Sequence, residues 1–327
     1  MPMEGQNETM WLMAISINPG APLGGSIMEY FPGTFNGTHF EAVDAAARIS
    51  DFAKDNYAGQ FFYGIPGNQP QVFIAWSSNW QYTNVVPSGE LEGWRSSMSV
   101  ARQTYLANVT RTGYTLINKP YNITPIYDEQ LGNSTDLGNS SLTIDYSSLF
   151  SGAIYFSANV SNLPNTSTSQ GTLNFTFSCS YTKESISGGF YFGGDNPFWL
   201  TRGDIKGFEN PFFTDKFSTG QPLNANGTFL LEGIVDRSIA EIFLDGGRNS
   251  ATMTFFPTGA LDTMEIRAGG LNAGVKIAVE VWALKSSWVG QENDDGMVLG
   301  NVTEISRGNS TQMMRRDVRV RSSLRSA

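Results

Sequence analysis

Along most of the chain, apolar and polar positions alternate with a period of two, in short runs punctuated by Gly, Asn and Pro, which predicts strands. Trp11 to Ile17 is an apolar run closed by Asn18-Pro19-Gly20. Ser26 to Thr34 and His39 to Ala42 flank Asn36-Gly37, the dipeptide that favours a two-residue type I′ hairpin turn. Val72 to Ser77 and Trp94 to Val100 supply further strands. Glu41 to Phe52, with an apolar stripe, is the helical candidate in a chain that otherwise reads as β.

The pattern loosens between about Asn108 and Asn139 into Asn, Thr, Gly, Ser and Pro, and the connection between two units is expected at 111–138. That leaves a first strand-rich unit over 1–110. Beyond the connection, strands recur at regular spacing: Leu142 to Ser147, Ala153 to Val160, Thr172 to Ser180, Gly189 to Gly193, Thr228 to Asp236, Ala240 to Asp245, Thr252 to Phe256, Thr263 to Ala268 and Val275 to Ala283. Many short strands joined by Gly-rich turns predict an antiparallel β-sandwich over 139–288. A tail over 289–327 follows, rich in Gly, Asn and Ser and then in Arg, and it is expected to be disordered.

Composition narrows the chemistry. A net charge of −9 argues against nucleic acid, whose phosphates require clustered Lys and Arg. No apolar run is long enough for a membrane-spanning helix, so no membrane partner is expected. The first twenty residues carry Glu4 and Glu8 and lack the basic start of a signal peptide. Yet Asn-x-Ser/Thr sequons occur at Asn7, Asn36, Asn108, Asn122, Asn133, Asn139, Asn159, Asn165, Asn174, Asn226, Asn301 and Asn309. That density exceeds what composition alone would give and points to a secreted, glycosylated protein whose natural start lies upstream. Cys179 is the single cysteine, in a strand-like setting that predicts an inert buried thiol.

With one histidine, His39, and no Gly-x-Ser-x-Gly elbow, triad chemistry has little to work with. One Cys and one His exclude a zinc site, and no cofactor is expected. What remains is carboxylate chemistry or sugar binding by aromatic side chains, and Trp76, Trp80, Tyr82 and Trp94 cluster in a Gly/Ser/Asn-rich stretch. The competing reading of those four is hydrophobic core.

The runs SINPGAPLGGS (16–26), MEYFPGTFNGTHFEA (28–42), DFAKDNYAGQFF (51–62), WSSNWQYTNVVP (76–87) and GWRSSMSVAR (93–102) resemble the later propeller blades of fungal invertases, in glycoside hydrolase family 32. NPFFTDKFS (210–218) and VDRSIAEIFLDGG (235–247) are similar to the β-sandwich of that family, with its D-x-S-x-x-E-x-F pattern. The resemblance implies an all-β fold, the remaining blades of a five-bladed β-propeller over 1–110 followed by the sandwich. It also implies retaining hydrolysis of terminal β-fructofuranosides such as sucrose or fructans. The family places its catalytic carboxylates in N-D-P-N-G, R-D-P and E-C-P motifs, and none occurs here. The chain is therefore expected to be an N-terminally truncated member, inactive by itself.

By the same resemblance Asp51 and Lys54 match the D-x-x-K positions that orient the sugar beyond the fructosyl unit, and Trp80 matches the second Trp of W-x-S-N-W. Ala53 stands where Gly is usual, and Ala101 where Pro is common. A homodimer formed through the sandwich would suit the family. The second reading is a non-catalytic glycan-binding or dimerising β-sandwich protein derived from such an enzyme.

Overall fold

A computed structural model describes residues 1–109, 112–164 and 167–286. The tail over 289–327 and the sequons at Asn165, Asn301 and Asn309 lie outside these residues. The described chain is nearly all β, as expected.

In the first part run β1 (Trp11–Ile17), β2 (Ile27–Phe35), β3 (Phe40–Ala42), β4 (Arg48–Ile49), β5 (Tyr57–Phe61) and β6 (Gln71–Ser77). The short helix α1 (Ser88–Glu92), β7 (Ser97–Met98), β8 (Arg102–Val109) and β9 (Gly113–Pro120) complete it. They form two antiparallel sheets, β1-β2-β3 with β4 beside β2, and β5-β6-β8-β9 with β7 beside β6.

The second part contains β10 (Tyr127–Ser134), β11 (Ser141–Asp145), β12 (Ala153–Ser161), β13 (Thr172–Ser178), β14 (Ser185–Tyr191) and β15 (Pro197–Thr201). It continues through β16 (Lys216–Gly220), β17 (Phe229–Asp236), β18 (Ile239–Leu244), β19 (Asn249–Thr254), β20 (Thr263–Gly269) and β21 (Lys276–Leu284). Their order is β10-β21-β12-β17-β18-β19 in one sheet and β11-β20-β13-β14-β15-β16 in the other. The alternation seen in sequence sets the packing: Leu173, Phe175 and Phe177 of β13 turn inward and are buried, while Asn174 and Thr176 face out. Phe156 of the facing sheet meets Phe175 at 5.0 Å and Phe177 at 5.7 Å between ring centroids, which closes the sandwich core.

Four expectations are corrected. The helical candidate Glu41 to Phe52 contains β3, β4 and a loop in which Asp44 accepts from Ala46 N and pairs with Arg48 at 2.6 Å. The strand expected over Trp94 to Val100 is reduced to Ser97–Met98, because Gly93 ends α1 at φ 82° and Ser96 adopts φ 69°. The connection expected at 111–138 holds two strands: β9 pairs with β8, and β10 pairs with β21. Its Asn- and Thr-rich composition is that of strands with solvated outer faces, and the crossing between sheets is confined to 121–126. The Asn36-Gly37 turn is a four-residue loop between Phe35 and Phe40. Only Gly37 in it is left-handed, and Asn36 Oδ1 accepts from Thr38 N and His39 N.

The two parts meet along β19, the last strand of its sheet. Phe52 N donates to Ser250 O at 2.9 Å and Asp55 N to Thr252 O at 3.2 Å, so loop 50–56 pairs with an edge that would otherwise be open.

Candidate functional site

At the end of β6 the chain turns through Ser77-Ser78-Asn79-Trp80, and Asn79 ties this turn to two others. Its Nδ2 is within hydrogen-bond reach of Ser26 O at 3.0 Å, Lys54 O at 3.1 Å and Gly24 O at 3.3 Å, while its Oδ1 accepts from Gln81 N at 3.0 Å. Trp80 N donates to Ser26 Oγ at 3.1 Å. Gly25, at φ 73°, makes room for this knot, since a Cβ there would stand 2.0 Å from Asn79 Oδ1. The backbone of Trp80 is thus held directly by Ser26, and the turn that carries it is tied down by the neighbouring Asn79.

The knot presents Trp80 to an open groove. Trp76 lies 5.3 Å from Trp80 between centroids, Trp94 forms another wall, and Val85, Glu90 and Arg95 line the remainder. Trp80 and Trp94 are each 46% exposed, whereas Tyr82 is 1% exposed and belongs to the core. The core reading therefore holds for Tyr82, and the platform reading fits Trp80 and Trp94. Arg95 is fixed along the wall by donating to Asn84 O at 2.6 Å. A groove with indole faces and a carboxylate at its rim can stack on the C–H face of a sugar ring and accept from its hydroxyls.

Behind the groove lie two buried ion clusters. In the first, Arg102 of β8 pairs with Asp51 at 3.1 Å and with Glu241 of β18 at 2.7 Å, and it donates to Thr252 Oγ1 at 2.6 Å. Asp51 also accepts from Thr252 N at 2.8 Å and Thr252 Oγ1 at 2.7 Å. The Phe243 ring lies 5.1 Å from the guanidinium. Burial pushes the Asp51 and Glu241 carboxyls up from their ordinary values even though Arg102 pulls them back. The physical cause is desolvation, since both carboxylates are shut away from water, and for Glu241 the nearby Asp51 charge adds a smaller push.

In the second cluster, Asp55 accepts from Arg202 Nη1 at 3.0 Å, Thr254 N at 2.9 Å, Thr254 Oγ1 at 3.0 Å and Tyr82 Oη. Arg202 lies 3.4 Å above the Phe213 ring, and Phe213 meets Tyr82 edge-on at 5.0 Å. Lys54 Nζ donates to Phe212 O at 2.6 Å, and burial lowers its pKa. Tyr82 is two residues from Trp80, so loop 202–215 of the sandwich packs directly against the loop that carries the groove.

The structure places the three residues expected to orient a sugar in two settings. Trp80 stands in the groove. Asp51 and Lys54 are each 2% exposed, and both are engaged between the two parts of the chain. Ala53, fully buried in the sandwich core cluster, needs no left-handed conformation and leaves the turn intact, with Ala53 N donating to Asp51 Oδ1. Asn79, Arg102, Glu241 and Asp55 lie inside the motifs and Arg202 outside them, but the roles of all five as bridges were not legible in the sequence, because most of their partners are far away along the chain. Of the sequons in described residues, Asn7, Asn36, Asn108, Asn122, Asn133, Asn139, Asn159 and Asn226 are exposed and Asn174 is half-buried. Cys179 is buried and free, as expected.

Residues 1–120 match the Glycosyl hydrolases family 32 N-terminal domain, and residues 129–283 match the Glycosyl hydrolases family 32 C terminal region. The chain is 35% identical over 299 residues to an extracellular exo-inulinase of Meyerozyma guilliermondii, covering 82% of this chain and 53% of that protein. It is 37% identical over 267 residues to an invertase of Kluyveromyces lactis, covering 75% and 42% respectively. Among solved structures it resembles a β-fructofuranosidase from Schwanniomyces occidentalis complexed with fructosyl-erythritol, with a TM-score of 0.72 and 29% identity over 87% of this chain and 58% of that one. The chain spans about half the length of the curated relatives it matches.

Proposed function

Because this chain belongs to glycoside hydrolase family 32, we propose that it is the C-terminal portion of a secreted β-fructofuranosidase acting on sucrose or fructans by a retaining mechanism. The sheets of residues 1–120 are then blades of a five-bladed propeller. The observation that carries the reading is Trp80, half exposed in the groove and locked by Asn79 and Ser26. Its indole takes the sugar next to the fructosyl unit, with Trp94 and Glu90 on the groove walls. Asp51 and Lys54 act beneath it, holding the two parts of the chain together.

Retaining hydrolysis needs a carboxylate nucleophile and a carboxylic acid on opposite sides of the scissile bond, roughly 5–5.5 Å apart. The family motifs that supply them do not occur in the 327 residues, so this chain binds a fructoside and does not cleave it. An extracellular relative and the exposed sequons support secretion and glycosylation.

The test uses the chain of residues 1–327. Incubated with sucrose or inulin, it should release no reducing sugar above a blank. Titrated with fructo-oligosaccharides, it should show a change in tryptophan emission, weakened on the order of tenfold in affinity by Trp80→Ala. Hydrolysis by the chain, or a response unchanged in Trp80→Ala, would overturn the assignment.

A further inference from the structure

The outward face of the second sandwich sheet holds an arrangement that the groove does not use. Asn174 of β13, Gly189 of β14 and Trp199 of β15 stand directly opposite one another across three adjacent strands. All three face away from the core, since their neighbours Leu173, Phe175, Phe190, Phe198 and Leu200 are buried inside it. A Cβ at Gly189 would stand 2.0 Å from Asn174 Oδ1 and 3.0 Å from Trp199 Nε1, so the amide and the indole meet over the glycine and bury it. Trp199 is 39% exposed. Asn174-Phe175-Thr176 is a sequon, and Thr176 lies on the same outward face.

We propose that Asn174 carries an N-linked glycan whose first N-acetylglucosamine ring extends outward from the amide and packs against the indole of Trp199. This deepens the proposed function and rests on its claim of secretion. Neighbouring strands are about 4.8 Å apart, which puts the two backbones roughly 10 Å apart, and the side chains close that gap over Gly189, so a sugar on the Asn174 amide starts beside the indole. The C–H face of that ring covers an indole that is otherwise wet. Arg267, exposed and opposite Asn174 on β20, stands on the other side as a donor to the sugar's oxygens. Residue choice follows from the same geometry, because any side chain at position 189 would push the Asn174 amide and the indole apart.

The experiment expresses the chain behind a host leader in a glycosylating yeast, maps glycopeptides by mass spectrometry and trims each glycan to its first sugar. Asn174 should be occupied, and the trimmed protein should melt roughly 2–4 °C above Asn174→Gln. That difference should vanish in a Trp199→Ala background and persist in part with Trp199→Phe, which keeps a ring should the alanine variant fold poorly. Equal shifts in all backgrounds would overturn the stacking. A bare Asn174 with sugar on Asn36 and Asn226 would overturn this proposal and leave secretion standing. No sugar on any sequon would remove both.

Discussion

Asn79 is a small residue with a large share of the site. It bridges carbonyls from two other loops and supports the backbone of Trp80. Asn79→Ala would leave buried carbonyls without donors, so a stability loss of roughly 1–3 kcal/mol is expected in urea denaturation, together with loss of the sugar-dependent fluorescence change. Glu184 offers a pH-dependent case. Burial pushes its carboxyl up, but Thr258 Oγ1, Lys206 N and Thr258 N donate to it and bring its pKa below the ordinary carboxylate value. A depressed folded pKa means that its contribution is complete above the unfolded value and is lost as pH falls through the folded one. The melting temperature should therefore drop below about pH 4.5, and Glu184→Gln should flatten that part of the profile. The same slope in both proteins would show that the acid sensitivity lies elsewhere.

At the scale of elements, β19 and loop 50–56 form one unit. Thr252 and Thr254 present both N–H and hydroxyl to Asp51 and Asp55, which are four residues apart on a chain running alongside. Arg102→Met removes the only cation facing Asp51 and Glu241 among the described residues and should cost roughly 3–5 kcal/mol, because two carboxylates stay buried without it. Replacing all three, as Asp51→Leu, Arg102→Met and Glu241→Leu together, should recover much of that loss in the same denaturation assay. A triple variant as unstable as the single one would mean that the bonds to Thr252 outweigh the charge imbalance. Strand positions such as β6 and β13 were legible because alternation survives wherever one face is packed and the other is not. The segment around Trp94 was misread because its apolar residues line a groove, so hydrophobicity there reports a surface and not a strand.

Across the whole molecule, the sandwich supports the groove. Phe213 joins Arg202 above and Tyr82 beside it, and Phe208 adds an edge contact at 4.9 Å. Phe213→Ala should open this contact, at a cost of roughly 3–5 kcal/mol. It should also raise the cleavage rate in limited proteolysis at the 121–126 crossing, and cleavage at the wild-type rate would argue that the two parts do not depend on this contact. By itself the sequence determined the all-β class, the sandwich and the family resemblance, because alternation, turn residues and dense motifs are local properties of the chain. Only the tertiary structure decided the roles of Asp51, Lys54, Arg102 and Glu241. The Asp51–Arg102, Arg102–Glu241 and Lys54–Phe212 contacts span 51, 139 and 158 residues, and a carboxylate's chemistry depends on whether water or a guanidinium surrounds it. Spacing along the chain records neither, and burial across an interface creates both.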